Sequence, residues 1–179
     1  TLKRTIDIID EIEFSKIDTD IKGDLYESLL NSIESAGELG QFLTPRHIIR
    51  AIVKMIGPKI GETIMDPACG SGGFLLGVYE YIKTKNSDPK NIEGYNGSQR
   101  GPGDKLSQKQ WQFLQKETFF GQDLDADMVR LTLMNFYLHG LEELDINRKD
   151  TIAGVEDEED LRRYDIILTN PPFAGKVDK

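Results

Sequence analysis

Apolar residues recur along this chain with two periods, and the alternation between them lays out its elements. Ile21, Leu25, Leu29, Leu30 and Ile33 return at helical spacing and predict a helix over Asp20–Ser35 that Gly37 and Gly40 break. Ile48, Ile49, Ile52, Val53 and Ile56 predict a second helix, opened by Thr44 as cap and Pro45 as first residue and stopped by Gly57-Pro58. A third runs from Phe74 to Ile82. A fourth carries Met128, Leu131, Thr132, Met134, Asn135 and Leu138 between a cap at Asp125 and a stop at Gly140. Short strand-like runs lie between them at Thr63-Ile64-Met65, Thr118–Gly121, Tyr164–Thr169 and, more weakly, Leu144–Asn147. Strands alternating with helices predict an α/β fold with a mostly parallel sheet and right-handed crossovers. Residues 1–20 show no clear period. Lys85–Gly103 is polar, rich in Gly, Asn and Ser, and reads as a surface insertion; residues 105–116 read as a short helix in which Trp111 covers core. The division that follows is a helical segment over 1–39, the end of a helical domain, and a larger α/β domain over 40–179 interrupted by the polar insertion at 85–117.

Composition narrows the functional classes. A chain of 179 residues is long enough to bury a substantial core as one domain with a helical appendage. No apolar run approaches the roughly 20 residues needed to span a bilayer, and no signal-peptide pattern opens the chain. A cytoplasmic protein without a membrane partner is therefore expected. A single cysteine excludes an internal disulfide, and Cys69, with no base near it in sequence, reads as a packing residue. The net charge of −9 argues against a free-standing nucleic-acid binder, whose affinity comes largely from Lys and Arg on phosphates. It is compatible with a catalytic subunit brought to nucleic acid by a partner. Much of the excess sits in Glu156-Asp157-Glu158-Glu159-Asp160, a solvated loop by its composition. His47 and His139 join no Cys/His cluster, so no metal site is expected.

Two stretches carry candidate chemistry. Asp66-Pro67-Ala68-Cys69-Gly70-Ser71-Gly72-Gly73-Phe74 joins a strand to a helix through a glycine-rich turn, the unit with which open α/β sheets hold small charged cofactors at the carboxyl ends of their strands. Ser71 reads as the helix cap. No Lys-Ser/Thr pair follows the glycines, which excludes a phosphate-binding loop, and the spacing is not a clean dinucleotide fingerprint. Each strand ends in a polar residue, Asp66, Asp123, Asp150 or Asn170, and a parallel sheet places those ends on one edge. Asp123 follows the second strand, from which an acid commonly accepts ribose hydroxyls, and this suggests an adenosine-containing cofactor. Asn170-Pro171-Pro172-Phe173 is stiffened by two prolines that lack N–H groups. Its Asn170 Oδ1 and Pro171 carbonyl can accept both hydrogens of an amino group, localising a lone pair for attack on an electrophilic methyl. Phe173 offers a flat face for a planar substrate.

In the order Gly40-Gln41-Phe42-Leu43-Thr44-Pro45, the glycine turn, Gly121-Gln122-Asp123, Asp150 and Asn170-Pro171-Pro172-Phe173, the chain from about Gly23 to Phe173 resembles the amino-directed, S-adenosylmethionine-dependent methyltransferases. It is most similar to the modification subunit of type I restriction–modification systems. The resemblance implies a Rossmann-like methyltransferase fold, with residues 40–179 as the N-terminal part of its catalytic domain. The family's domain continues for several strands beyond this motif, so those strands are expected to be missing here. It implies methyl transfer from S-adenosylmethionine to N6 of a flipped-out adenine in double-stranded DNA, alongside specificity and restriction subunits. Cofactor contacts would come from Gln41, Phe42 and Thr44, with Thr44 on the methionine carboxylate. Asp66, Ala68, Gly70, Ser71 and Gly72 would hold the methionine part, Asp123 the ribose, and Asp150 the cofactor adenine's surroundings, with Asn170 at the cofactor's edge. Asn170, Pro171, Pro172 and Phe173 would be catalytic, gripping the amino group and stacking on the base. Two alternatives stand beside this reading: a protein-glutamine N5-methyltransferase, which uses a similar Asn-Pro-Pro turn, and a non-catalytic cofactor-binding fragment. An oxidoreductase is disfavoured because no hydride-transfer residues stand out.

Overall fold

The computed structural model describes residues 19–35, 43–95, 98–151 and 162–171. In chain order these form α1 (Thr19–Ser35), α2 (Arg46–Ile56), β1 (Ile64–Asp66), α3 (Gly73–Lys85), β2 (Glu93–Tyr95), β3 (Ser98–Arg100), α4 (Gln108–Lys116), β4 (Phe119–Asp123), α5 (Ala126–Leu138), β5 (Asp145–Arg148) and β6 (Ile166–Ile167). The α/β fold with a mostly parallel sheet is observed. Four strands pair in parallel in the order β5-β4-β1-β6. The chain moves outward from β1 to β4 and β5, then returns to the opposite side of β1 for β6. Strand order thus reverses at β1, the place where open α/β sheets form a ligand crevice at their carboxyl ends.

β1 is central and wholly buried, which is why its apolar run does not alternate. Its helix partner α3 is apolar almost all round: Leu75, Leu76, Val78 and Ile82 have no exposure, as a helix packed on both the sheet and α2 requires. α2 turns Ile49 and Val53 inward and comes close to α3 at Gly77, where a Cβ would lie 2.6 Å from Ile49 Cγ2. Phe119 of β4 meets Tyr79 edge-on and Phe136 at a tilt.

Three local expectations shift. Pro45, not Thr44, precedes the first residue of α2, with its carbonyl accepting the Ile48 and Ile49 amides. Gly72, not Ser71, precedes α3, at φ 82. A Cβ there would lie 2.8 Å from Phe136 and 2.9 Å from Thr132, so glycine is needed for both backbone angle and space. Of Tyr164–Thr169, only Ile166–Ile167 pairs as strand. The apolar set on α1 also divides: Leu30 is buried, but Ile21, Leu25 and Leu29 are largely exposed. The face of α1 that packs is marked instead by Gly23, which lies against the His139 ring with no room for a side chain, and by Tyr26, whose hydroxyl donates to the Leu131 carbonyl.

The polar stretch after α3 contains the antiparallel β2–β3 hairpin. Polar ties hold it: Asp104 accepts from Asp88 and Asn91, and Ser87 Oγ accepts from Gly103. α4 follows behind a reciprocal Ser107–Gln110 capping box, with Leu114 fully buried and Trp111 packed on the core.

Replacing Gly77 by Ala should destabilise the chain by about 1–3 kcal/mol through overpacking, although Ala is the better helix former by about 1 kcal/mol. Chemical denaturation would show this. Ile49→Leu, which removes the opposing Cγ2, should restore part of the loss.

Candidate functional site

The glycine turn is tied down from three sides. Cys69 N–H donates to the Gln122 carbonyl at 2.9 Å, joining the turn to the end of β4. Gly70 N–H donates to Asp123 Oδ2 at 2.9 Å, while Asp123 Oδ1 accepts the Asp125 amide at 2.9 Å. From α5, the Thr132 hydroxyl donates to the Gly70 carbonyl and Asn135 Nδ2 donates to the Ser71 carbonyl at 3.0 Å. Gly70 (φ 54) and Gly72 (φ 82) take left-handed backbone angles that favour glycine. The two differ in surroundings: a Cβ on Gly72 would strike α5, whereas one on Gly70 would meet nothing within 4 Å among the described residues. Gly70 therefore faces open space that a ligand can enter.

That space is a cavity of about 90 Å³ whose wall includes the turn, Thr44, Asp66 and Asn170. It lies at the carboxyl ends of β1 and β6, where the strand order reverses. Asp66 is 1% exposed. Burial pushes its carboxyl up to about 6, against the opposing pull of the Ala68 amide, which donates to Oδ1 at 3.1 Å, and of the Thr169 hydroxyl. Across the crevice, Asn170 Nδ2 donates to Thr44 Oγ1 at 3.1 Å. Thr44 lies one residue before the cap position of α2, which Pro45 holds, and its hydroxyl accepts across the crevice instead. The bond also fixes which end of the Asn170 amide donates, leaving Oδ1 as its acceptor.

Thr44, Asp66, Ala68, Gly70, Ser71 and Asn170 are thus brought to one cavity. Gly72 is buried behind it. Asp123 stands behind the turn, at 8% exposure, bonded to its backbone. Asp150 is exposed beyond the end of β5 and is not among the wall residues. Pro171 is exposed. Gln41, Phe42, Pro172 and Phe173 lie outside the described residues. Cys69 is buried and its thiol is pushed up to about 12, mainly by that burial, in keeping with a packing role. No metal-binding cluster is present among the described residues, and no helix there is long and apolar enough to cross a membrane.

Sequence reasoning missed Glu27, Leu30, Arg46 and Asn135, which also line the cavity. Asn135 left a trace, since with Thr132 it interrupts an otherwise apolar helix face at a spacing of three residues. Glu27 left none, because only the docking of α1 brings it there.

The family model for N-6 DNA Methylase matches residues 17–179. The methylase subunit of the type I restriction enzyme EcoEI from Escherichia coli is 35% identical over 176 residues, spanning 97% of this chain and 32% of that protein. The solved M protein of the type I restriction enzyme EcoKI is 30% identical, with a TM-score of 0.61 over 77% of this chain and 27% of its own. A structure of the type I restriction–modification system gives 31% identity and a TM-score of 0.71, covering 97% of this chain and 32% of that one. The chain spans about a third of the length of such relatives.

Because the folded state favours neutral Asp66, that carboxyl contributes stability fully present below its unfolded value of 3.8 and lost as pH rises to about 6. Its charged form then costs about 3 kcal/mol. Asp66→Asn, which keeps an oxygen for the Ala68 amide, should therefore raise the Tm at pH 8 relative to the parent chain. The difference should vanish near pH 4 in a calorimetric melting series.

Proposed function

The chain belongs to the N-6 DNA methylase family, and we propose that it forms the cofactor-binding part of an adenine-specific DNA methyltransferase, the modification subunit of a type I restriction–modification system. The observation that carries this reading is the pairing of Asn170 with Thr44 across the crevice from Asp66. It sets an oriented amide oxygen beside a cavity rich in acceptors.

The residues fit S-adenosylmethionine. Gly70 leaves room for close approach, and Asp66 supplies an anion at the cavity wall. Asp123 already holds one backbone amide on each oxygen, yet each carboxylate oxygen has a second acceptor site for a ribose hydroxyl. When bound, S-adenosylmethionine supplies an electrophilic methyl on a sulfonium. The chain's own residues position and exclude. Asn170 Oδ1 and the Pro171 carbonyl accept the two hydrogens of the target amino group and localise its lone pair. The amino nitrogen so held would take the methyl that the cofactor supplies, with the sulfur leaving as a thioether and the nitrogen's displaced proton passing to solvent. An adenine N6 inside a duplex cannot reach this crevice, so the base is flipped out, with Phe173 as its stacking face. Rate enhancement then comes mainly from positioning. The net charge of −9 fits a subunit that reaches double-stranded DNA through a specificity subunit, with a restriction subunit completing the assembly.

Calorimetry should detect binding of S-adenosylmethionine and no heat from NAD; the reverse would sink this reading. Affinity should fall about tenfold from pH 7 to pH 5 as Asp66 takes up its proton, and Asp66→Asn should abolish that dependence. In a DNA methylation assay with the specificity subunit, Asn170→Ala should lower the rate at least ~100-fold while cofactor affinity changes little. Base analysis showing unmodified adenine but methylated protein would favour the glutamine reading.

A further inference from the structure

The inner wall of the cavity holds an unsatisfied acceptor. Asn135 is 2% exposed, and its Nδ2 donates to the Ser71 carbonyl at 3.0 Å. That bond fixes the amide's orientation, since the flipped form would set oxygen against oxygen. Oδ1 is therefore the remaining atom, and it is buried without a hydrogen-bond partner among the described residues. Leaving such an atom unpaired is costly, so its place on a cavity wall marks a point where a ligand donor is expected.

The same wall receives Glu27 from α1. Glu27 pairs with Arg46, which also lies 3.6 Å from Glu80. A second cation, Arg100 of β3, joins Asp24 of α1 at 2.8 Å and Glu80 at 2.9 Å. These pairs clasp α1 onto the body of the domain and hold Glu27 at the cavity. With Asp66, the wall then offers two carboxylates and an orphaned amide oxygen against one guanidinium. A compact cation with several N–H donors suits that set; an uncharged hydroxyl would leave the charge imbalance in place.

We propose that Glu27 and Asn135 form a subsite for the α-ammonium group of the cofactor's amino-acid end. The subsite lies outside the glycine turn, and half of it comes from the N-terminal helix. The inference rests on the reading that S-adenosylmethionine occupies this cavity. It makes α1 a working wall of the cofactor site, so that discrimination for the amino-acid moiety depends on a helix that precedes the α/β body in the chain.

The test compares two ligands by calorimetry: S-adenosylhomocysteine, which carries the ammonium, and methylthioadenosine, which keeps the adenosine and thioether but lacks the amino-acid end. The parent chain should prefer S-adenosylhomocysteine. Glu27→Gln and Asn135→Leu should each weaken S-adenosylhomocysteine at least tenfold and leave methylthioadenosine within twofold. Because Asn135→Leu also removes the tie to Ser71, Glu27→Gln is the decisive variant. Equal loss of both ligands in Glu27→Gln, or no loss of either, overturns the subsite. A parent chain that binds neither ligand overturns the S-adenosylmethionine reading and the subsite with it.

Discussion

The site depends on polar groups withdrawn from water to hold a short stretch of backbone. The Gly70–Gly72 turn has left-handed geometry, open space on one side and packed helix on the other. It persists because Asp123, Thr132 and Asn135 each bond a backbone group of the turn. Each bond is worth about 0.5–1.5 kcal/mol net, but leaving a buried partner unpaired costs about 1–3 kcal/mol. The arrangement is therefore over-determined: losing one tie leaves the others holding a turn that now has an orphaned group. The start of α3, the exposure of the Gly70 backbone and the aim of Asn135 all follow from it.

The same economy governs the attachment of α1. Its exposed apolar residues contribute little to docking. It is seated by a glycine against His139, a tyrosine hydroxyl, and ion pairs from Asp24 and Glu27 to Arg100 and Arg46. Burial lowers the pKa of His139, keeping the ring neutral beneath the helix near neutral pH. Partly buried ion pairs register elements against one another more than they stabilise them. Here they join the N-terminal helix, the hairpin and α3 at one point beside the cavity. The polar stretch after α3 thereby has a structural use: its Arg100 reaches back to both.

Asp66 shows the opposite balance. Burying its carboxylate opposes folding near neutral pH, and its neighbours compensate only in part. A residue kept at such a cost, on the wall of a crevice where strand order reverses, suits a site completed by a positively charged group. At Thr44, too, a polar group serves the crevice: its hydroxyl accepts from Asn170, while Pro45 holds the cap position of α2.

The order of elements was legible in the sequence because period and punctuation are local. The four apolar helical repeats, the first three strands of the sheet, Asp125 as cap and Gly57 as stop all reappear in the structure at nearly the expected residues; of the strands, only the last shrinks, to Ile166–Ile167. Asp66, the glycine turn and Asn170 were expected at one edge because strand ends of a parallel sheet converge by topology alone, whereas Thr44 was expected beside them only from the family resemblance; all four line one cavity. What local pattern could not decide was which polar side chain serves which neighbour. Ser71 and Thr44 have the chemistry of caps, yet Gly72 and Pro45 hold the cap positions, and the Thr44 hydroxyl accepts from Asn170. Glu27 and Arg46 look like solvated helix charges until α1 docks, and Asn135 looks like one polar position among apolar ones. Their roles arise from contacts between residues separated by tens of positions, and those exist only once the sheet has brought its ends together.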